Sequence, residues 1–193
     1  MGAGVEWSAV VLTGGTAARM AGADKAALEV DGATLLERAL VATAAAGEVV
    51  VVGSPAPTSR PVTWTREEPP GGGPAAGLLA GIDALRRPSE LVAVLAVDMP
   101  RVTGATFGRL VAALRDDADG VLLVDEGGRR QLLCGVYRTG ALHSARPATS
   151  ADEVGLPVRR LLGPLRLVEV PAVADEARDV DTWEDLRALH ERP

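Results

Sequence analysis

The sequence predicts an α/β fold, a mostly parallel sheet covered by helices on both faces. Apolar runs at residues 8–12, 48–52 and 91–97 are continuous rather than alternating, as strands buried on both sides must be. Segments with helical apolar spacing separate them. Each run also stops abruptly, at Gly14-Gly15, Gly53-Ser54-Pro55 and Asp98-Met99-Pro100.

In chain order, residues 8–12 read as a central strand, and residues 34–46 as a helix that Gly47 could close. Residues 48–52 (EVVVV) are the clearest strand and 61–65 a short one. The run Pro69-Pro70-Gly71-Gly72-Gly73-Pro74 is the strongest breaker, followed by a helix over 75–85 and the buried strand over 91–97. Thr103 reads as the N-cap of a helix reaching about residue 115. Strands over 120–124 and 131–137 flank the polar turn Asp125-Glu126-Gly127-Gly128. Residues 138–163 offer a helical piece at 158–162; a strand over 165–170 and a helix over 182–190 complete the pattern.

At 193 residues the chain is most economically one domain, 1–193. Net charge is −6 and no Lys/Arg run exceeds two residues, so the clustered basic footprint of a nucleic-acid binder is missing. The single Cys134 excludes an intrachain disulfide and a cysteine-rich zinc site, and its apolar setting in Leu132-Leu133-Cys134-Gly135-Val136 predicts a buried structural thiol. Neither a signal peptide nor an apolar run of about 20 residues is visible. These features predict a cytoplasmic protein with no membrane partner.

The chemistry-bearing stretch is Val10-Val11-Leu12-Thr13-Gly14-Gly15-Thr16-Ala17-Ala18-Arg19-Met20, followed by Asp24-Lys25. A strand ending in two glycines can wrap its amides around phosphate, with Arg19 and Lys25 reaching the same anion. It is not the dinucleotide fingerprint G-x-G-x-x-G, because Gly15 is followed by Thr16-Ala17-Ala18-Arg19. It is not a Walker A loop either, since Lys25 follows Asp24 and precedes Ala26. The Gly14 loop, the Gly71 loop and Asp98 each follow a predicted strand, where ligands of open α/β sheets bind.

Residues 12–28 fit the pattern L-[AT]-G-G-x-x-x-R-M-x-G-x-D-K-x-x-L. That loop resembles the signature of nucleotidyltransferases, and its Arg-Met-x-Gly-x-Asp-Lys form resembles the molybdenum cofactor guanylyltransferase family. Gly73-Pro74-Ala75-Ala76-Gly77 is similar to the family's G-P-L-A-G, Val97-Asp98-Met99-Pro100 to its metal-binding V-D-M-P, and Asp179-Val180-Asp181-Thr182 to its closing N-x-N-T. The resemblance spans about residues 8–190. It implies a Rossmann-like three-layer α/β/α sandwich of the nucleotide-diphospho-sugar transferase type, with a nucleotide half at about 8–100 and an acceptor half at about 101–193. The implied reaction transfers GMP from GTP to molybdopterin, releasing pyrophosphate.

Carried over residue by residue, the resemblance implies that Leu12, Thr13, Gly14, Gly15 and Lys25 hold the nucleotide. Arg19, Lys25 and Asp98 become the catalytic set, with Mg²⁺ on Asp98, Asp181 and Asp179. Glu67 or Glu68 would recognise the base, and Gly53 stands where some members carry a base-contacting Asn. A phosphate monoester with a second pKa of about 6 is already a good nucleophile at pH 7, so positioning and electrostatics suffice for catalysis. The chain's only histidines, His143 and His190, suggest no Ser-His-Asp set.

Thr13 replaces the usual Ala, and Asp179 and Asp181 replace asparagines, a D-x-D-T form shared with the cytidylyltransferases of the same pathway. CTP is therefore the rival nucleotide, another small-phosphate nucleotidyltransferase a further alternative, and a non-catalytic nucleotide-binding module the rival class. Several of these residues have a plainer reading as well. Asp181 to Glu184 also fits a capping box, Asp24 a structural partner of the loop, and Arg129-Arg130-Gln131 either an acceptor contact or a solvated turn. Monomer and small homo-oligomer are both compatible with the sequence.

Overall fold

The computed structural model describes residues 5–14, 24–87 and 89–190. The sequence-predicted site residues Gly15 and Arg19 lie outside these. The described elements are β1 (Trp7–Leu12), β2 (Glu29–Val30), β3 (Ala33–Thr34), α1 (Leu35–Ala42), β4 (Val49–Val52), β5 (Thr63–Thr65), α2 (Pro74–Asp83) and β6 (Leu91–Ala96). They continue as α3 (Gly104–Ala113), β7 (Gly120–Val124), β8 (Arg130–Arg138), α4 (Thr139–Ala145), α5 (Val158–Leu162), β9 (Leu167–Pro171) and α6 (Trp183–His190).

Among the described residues, seven strands form one sheet in the order β5-β4-β1-β6-β8-β7-β9. β1 is parallel to both β4 and β6, β4 to β5, and β7 to β9; only β8 runs against its neighbours β6 and β7. The fully buried pattern of β1 and β4 shows why those runs are continuously apolar. Alternate residues feed two cores. Val11, Val51 and Leu95 meet Leu35 and Leu40 of α1, Phe107 and Leu110 of α3, and Leu189 of α6. Val10, Val52 and Val94 meet Leu78 and Ile82 of α2, Leu142 of α4 and Leu161 of α5 on the opposite face. The result is the predicted three-layer sandwich.

Glycine brings α2 close to the sheet. A Cβ on Gly81 would meet Val10 Cγ1 at 2.4 Å and Val52 Cγ2 at 3.0 Å. Cys134 is fully buried, and burial pushes its thiol pKa up, which keeps it unreactive.

The structure departs from the sequence expectation in local details. The first helix ends at Ala42 rather than residue 46, because Thr43 Oγ1 donates to the Ala39 carbonyl and Arg60 covers the Thr43 and Ala46 carbonyls. Gly47 instead donates its amide to the Trp7 carbonyl at the amino end of β1, leading the chain into β4. The small β2–β3 hairpin has no counterpart in the sequence expectation; it turns on Asp31 and Gly32, both at positive φ. The region 138–163 contains α4 as well as the expected α5. No described helix is long and apolar enough to cross a membrane.

Beyond β9, which ends at the sheet's carboxyl edge, Glu176 anchors the chain as it passes along that edge towards Asp98. Its carboxylate accepts from Thr106 Oγ1 at 2.6 Å, from Arg109 Nη1 and Nη2 at 2.9 and 2.5 Å, and from the Val173 amide at 2.9 Å. Burial raises the Glu176 pKa, but the bonds from Arg109, Thr106 and Val173 outweigh it and hold the carboxyl below the usual 4.5. A depressed folded-state pKa stabilises the fold above the unfolded value and loses that contribution as pH falls through the folded one. Glu176→Gln should therefore be less stable than wild type at neutral pH, with the difference shrinking as pH falls below 4.5 in urea melts at stepped pH.

Candidate active site

The carboxyl ends of β1, β4 and β6 meet at one edge, and strand order reverses about β1: the chain runs outward to β4 and β5, then returns to β6 on the other side. Main-chain bonds stitch this edge together. The Thr13 amide donates to Val52 O at 3.1 Å, the Gly53 amide to Thr65 O at 2.9 Å, and the Val97 amide to Leu12 O at 3.0 Å. Leu12, Thr13, Gly14, Gly53 and Asp98 are thereby gathered at a switch point.

Asp24 Oδ1 accepts the Ala26 amide at 3.0 Å and starts the 3-10 turn Lys25–Ala27, so Asp24 is a structural partner of the loop. The turn delivers Lys25 Nζ between Asp98 Oδ2 at 3.2 Å and Asp181 Oδ1 at 2.7 Å. Residues separated by 73 and 156 positions in sequence thus share one charge. The Lys25 side chain is only 10% exposed. Burial lowers its pKa, but the bond to Asp181 and the charge of Asp98 outweigh that and hold the ammonium above 10.5. For Asp98, burial comes first and raises the pKa; Lys25 opposes it, while Asp181 and Asp179 add repulsion, and the net is upward. The cluster carries more negative than positive charge.

The segment bearing Asp179 and Asp181 is laid against Asp98 itself, the Val180 amide donating to Asp98 O at 2.8 Å. The capping box read at Asp181 and Glu184 is displaced by one residue. Thr182 Oγ1 accepts the Asp185 amide at 3.1 Å and Asp185 Oδ2 accepts the Thr182 amide at 2.8 Å. Because Thr182 does the capping, Asp181 is free to face Lys25. Asp179 turns elsewhere, its Oδ2 3.9 Å from Arg129 Nη2. Among the described residues no three His, Cys, Asp or Glu side chains are close enough to hold a metal ion by themselves.

Two departures noted in the sequence are one structural fact. A Cβ on Gly53 would lie 1.9 Å from Thr13 Oγ1, which itself donates to Val52 O at 2.9 Å. The hydroxyl of Thr13 fills the room a larger residue at 53 would need. At Gly14, by contrast, a Cβ meets nothing within 4 Å among the described residues, so packing alone does not call for that glycine.

The structure also distinguishes Glu67 from Glu68. Glu67 is half-buried and its Oε1 accepts the Gly71 amide at 3.0 Å, shaping the glycine loop; Glu68 is exposed. Gly72 O accepts the Gly155 amide at 2.7 Å, so the loop also rests on the region after α4. A cavity of about 330 Å³ on the flank of α2 includes both glutamates but none of Lys25, Asp98 or Asp181. The charged cluster, rather than that cavity, holds the chemistry-bearing groups.

Comparison with known proteins identifies the family. A family described as the MobA-like NTP transferase domain matches residues 9–170. A protein of Opitutus terrae named "Probable molybdenum cofactor guanylyltransferase" is 34% identical over 176 residues, covering 87% of this chain and 85% of its own length. The molybdenum cofactor guanylyltransferase of a Bradyrhizobium species is 28% identical over 200 residues, covering 95% and 94%. The crystal structure of molybdopterin-guanine dinucleotide biosynthesis protein A from Archaeoglobus fulgidus shares the fold with a TM-score of 0.72 at 19% identity, over 95% of this chain and 97% of that one. This chain belongs to the MobA-like NTP transferase family and is a nucleotidyltransferase.

Proposed function

We propose that the protein transfers GMP from GTP to molybdopterin with Mg²⁺ as cofactor, forming a molybdopterin guanine dinucleotide and pyrophosphate. The observation that carries this reading is the convergence of Lys25 on Asp98 and Asp181 near the carboxyl end of β1. A binding module needs no such pairing of a cation with carboxylates at the triphosphate position. The names of the relatives supply the acceptor and the base.

The donor set suits Mg²⁺, a hard cation held by one or two carboxylates, waters and substrate phosphates rather than by an all-protein cage. Asp98 would hold it, with Asp181 as the second carboxylate, and the ion would neutralise charge on the triphosphate. Lys25 would exchange Asp181 for a phosphate oxygen near the α-phosphorus. Gly14 and Gly15 would offer amides to the phosphates, and Arg19 a second cation. An oxygen of the acceptor's phosphate monoester attacks the α-phosphorus; the bond to the bridging oxygen breaks and pyrophosphate leaves with the electron pair. No general base is required of the protein, since the nucleophile is already anionic.

Glu67 is the better placed of the two glutamates to meet the base, since its side chain packs into the glycine loop where Glu68 points outward. CTP is the second reading, favoured by the missing side chain at Gly53 and by the Asp179-Val180-Asp181 form of the closing motif. Cytoplasmic location fits a reaction on soluble nucleotide and pterin substrates.

Pyrophosphate release with Mg²⁺, purified molybdopterin and each NTP in turn tests the reading. Turnover with GTP is expected; preference for CTP reassigns the base, and no release with any NTP leaves only a binding module. Asp98→Asn should lower kcat by about 100-fold or more with an unchanged circular dichroism spectrum. Gly53→Asn should cost roughly 1–3 kcal/mol in thermal melts by overpacking against Thr13. Adding Thr13→Ala should recover part of that loss, the remainder reflecting the Gly53 φ of +153°.

A further inference from the structure

The β7–β8 hairpin brings a cation, Arg129, to Asp179 on the segment laid against Asp98, and the reaction above does not use it. β7 and β6 both pair antiparallel with β8 and so point the same way, which places the end of β7 at the edge that carries Asp98. β8 overhangs that edge: its pairing with β6 extends only to Cys134, opposite Leu95, whereas the strand begins at Arg130. A register shift between Leu122 and Leu123, which jumps the partner from Gly135 to Gln131, re-aims the tip. The turn is ordered, Asp125 Oδ1 accepting the Arg129 amide at 2.8 Å.

At this tip the adjacent arginines part company. Arg130 Nε donates to Glu169 Oε1 at 2.7 Å, towards β9. Arg129 turns to Asp179, and at 3.9 Å the contact is charge attraction without a hydrogen bond. The Arg129 side chain is 69% exposed. Val180 lies on Asp98, and the acidic residues on either side of it each face a cation: Asp181 meets Lys25 and Asp179 meets Arg129. Lys25 thus meets Asp98 directly, and the hairpin delivers a second cation to Asp179, two residues from the Asp181 that Lys25 also meets.

We propose that Arg129 binds the terminal phosphate monoester of the acceptor and aims it at the nucleotide. The assignment rests on the nucleotidyl-transfer reading and adds to it the residue that recognises the nucleophile. A dianionic nucleophile approaching this acidic cluster is repelled unless a cation meets it. The planar guanidinium fork matches a phosphate bidentately, and its distant hold on Asp179 is weak enough to exchange. Arg130, spent on Glu169, takes no part.

The test measures steady-state pyrophosphate release by wild type, Arg129→Gln, Arg129→Lys and Arg130→Gln, with Mg²⁺ and whichever NTP the wild type uses. Arg129→Gln should raise the KM for molybdopterin about tenfold or more. Its KM for the NTP, its NTP affinity by calorimetry and its melting temperature should stay at wild-type values. Arg129→Lys should recover part of the acceptor KM, and Arg130→Gln should match wild type. An unchanged acceptor KM in Arg129→Gln, or an equal rise in both KM values, overturns the proposal while the transfer reading stands. A wild type that turns over no NTP overturns the transfer reading, and the role of Arg129 falls with it.

Discussion

The Lys25 ammonium lies between the carboxylates of Asp98 and Asp181, and most of the molecule can be understood as the means of holding them there. Each group comes with its own support. Asp24 caps the turn that starts at Lys25, β6 ends just before Asp98, and the Thr182–Asp185 cap orients the segment that bears Asp181. Because the three groups come from both ends and the middle of the chain, the cluster forms only when the sheet and its closing segment are complete.

That closing segment is the least obvious part of the design. β9 ends at the carboxyl edge, and from there the chain crosses along that edge back to Asp98, with buried Glu176 tying it to Thr106 and Arg109 of α3. A few residues later the Val180 amide bonds to the Asp98 carbonyl. The Glu176–Arg109 ion pair thereby fixes where the acidic residues of the site fall, and connects α3 to the charge arrangement around Lys25.

Much of this was legible in the sequence for physical reasons. Strands buried on both faces must be continuously apolar, so β1, β4 and β6 could be read almost to the residue. Glycine and proline punctuation located the loops that meet at the edge. The less legible features depend on contacts between distant residues. Just beyond α1, Arg60 satisfies the carbonyls of Thr43 and Ala46 that a longer helix would have bonded, a partner no local pattern discloses. Asp181 and Thr182 are equally good caps by composition, and only the geometry shows that Thr182 serves. Glu67 and Glu68, like Arg129 and Arg130, are neighbours of one chemical type that the fold sends in different directions. The coupling of Thr13 to Gly53 joins substitutions that look unrelated along the chain.

The central claim is that Lys25 and Asp98 serve one triphosphate. A crystal structure of the protein with Mg²⁺ and a GTP analogue that resists cleavage at the α-phosphorus addresses it most directly. The account predicts Lys25 Nζ on a phosphate oxygen and a metal ion bound to Asp98. A triphosphate seated away from both side chains would contradict it.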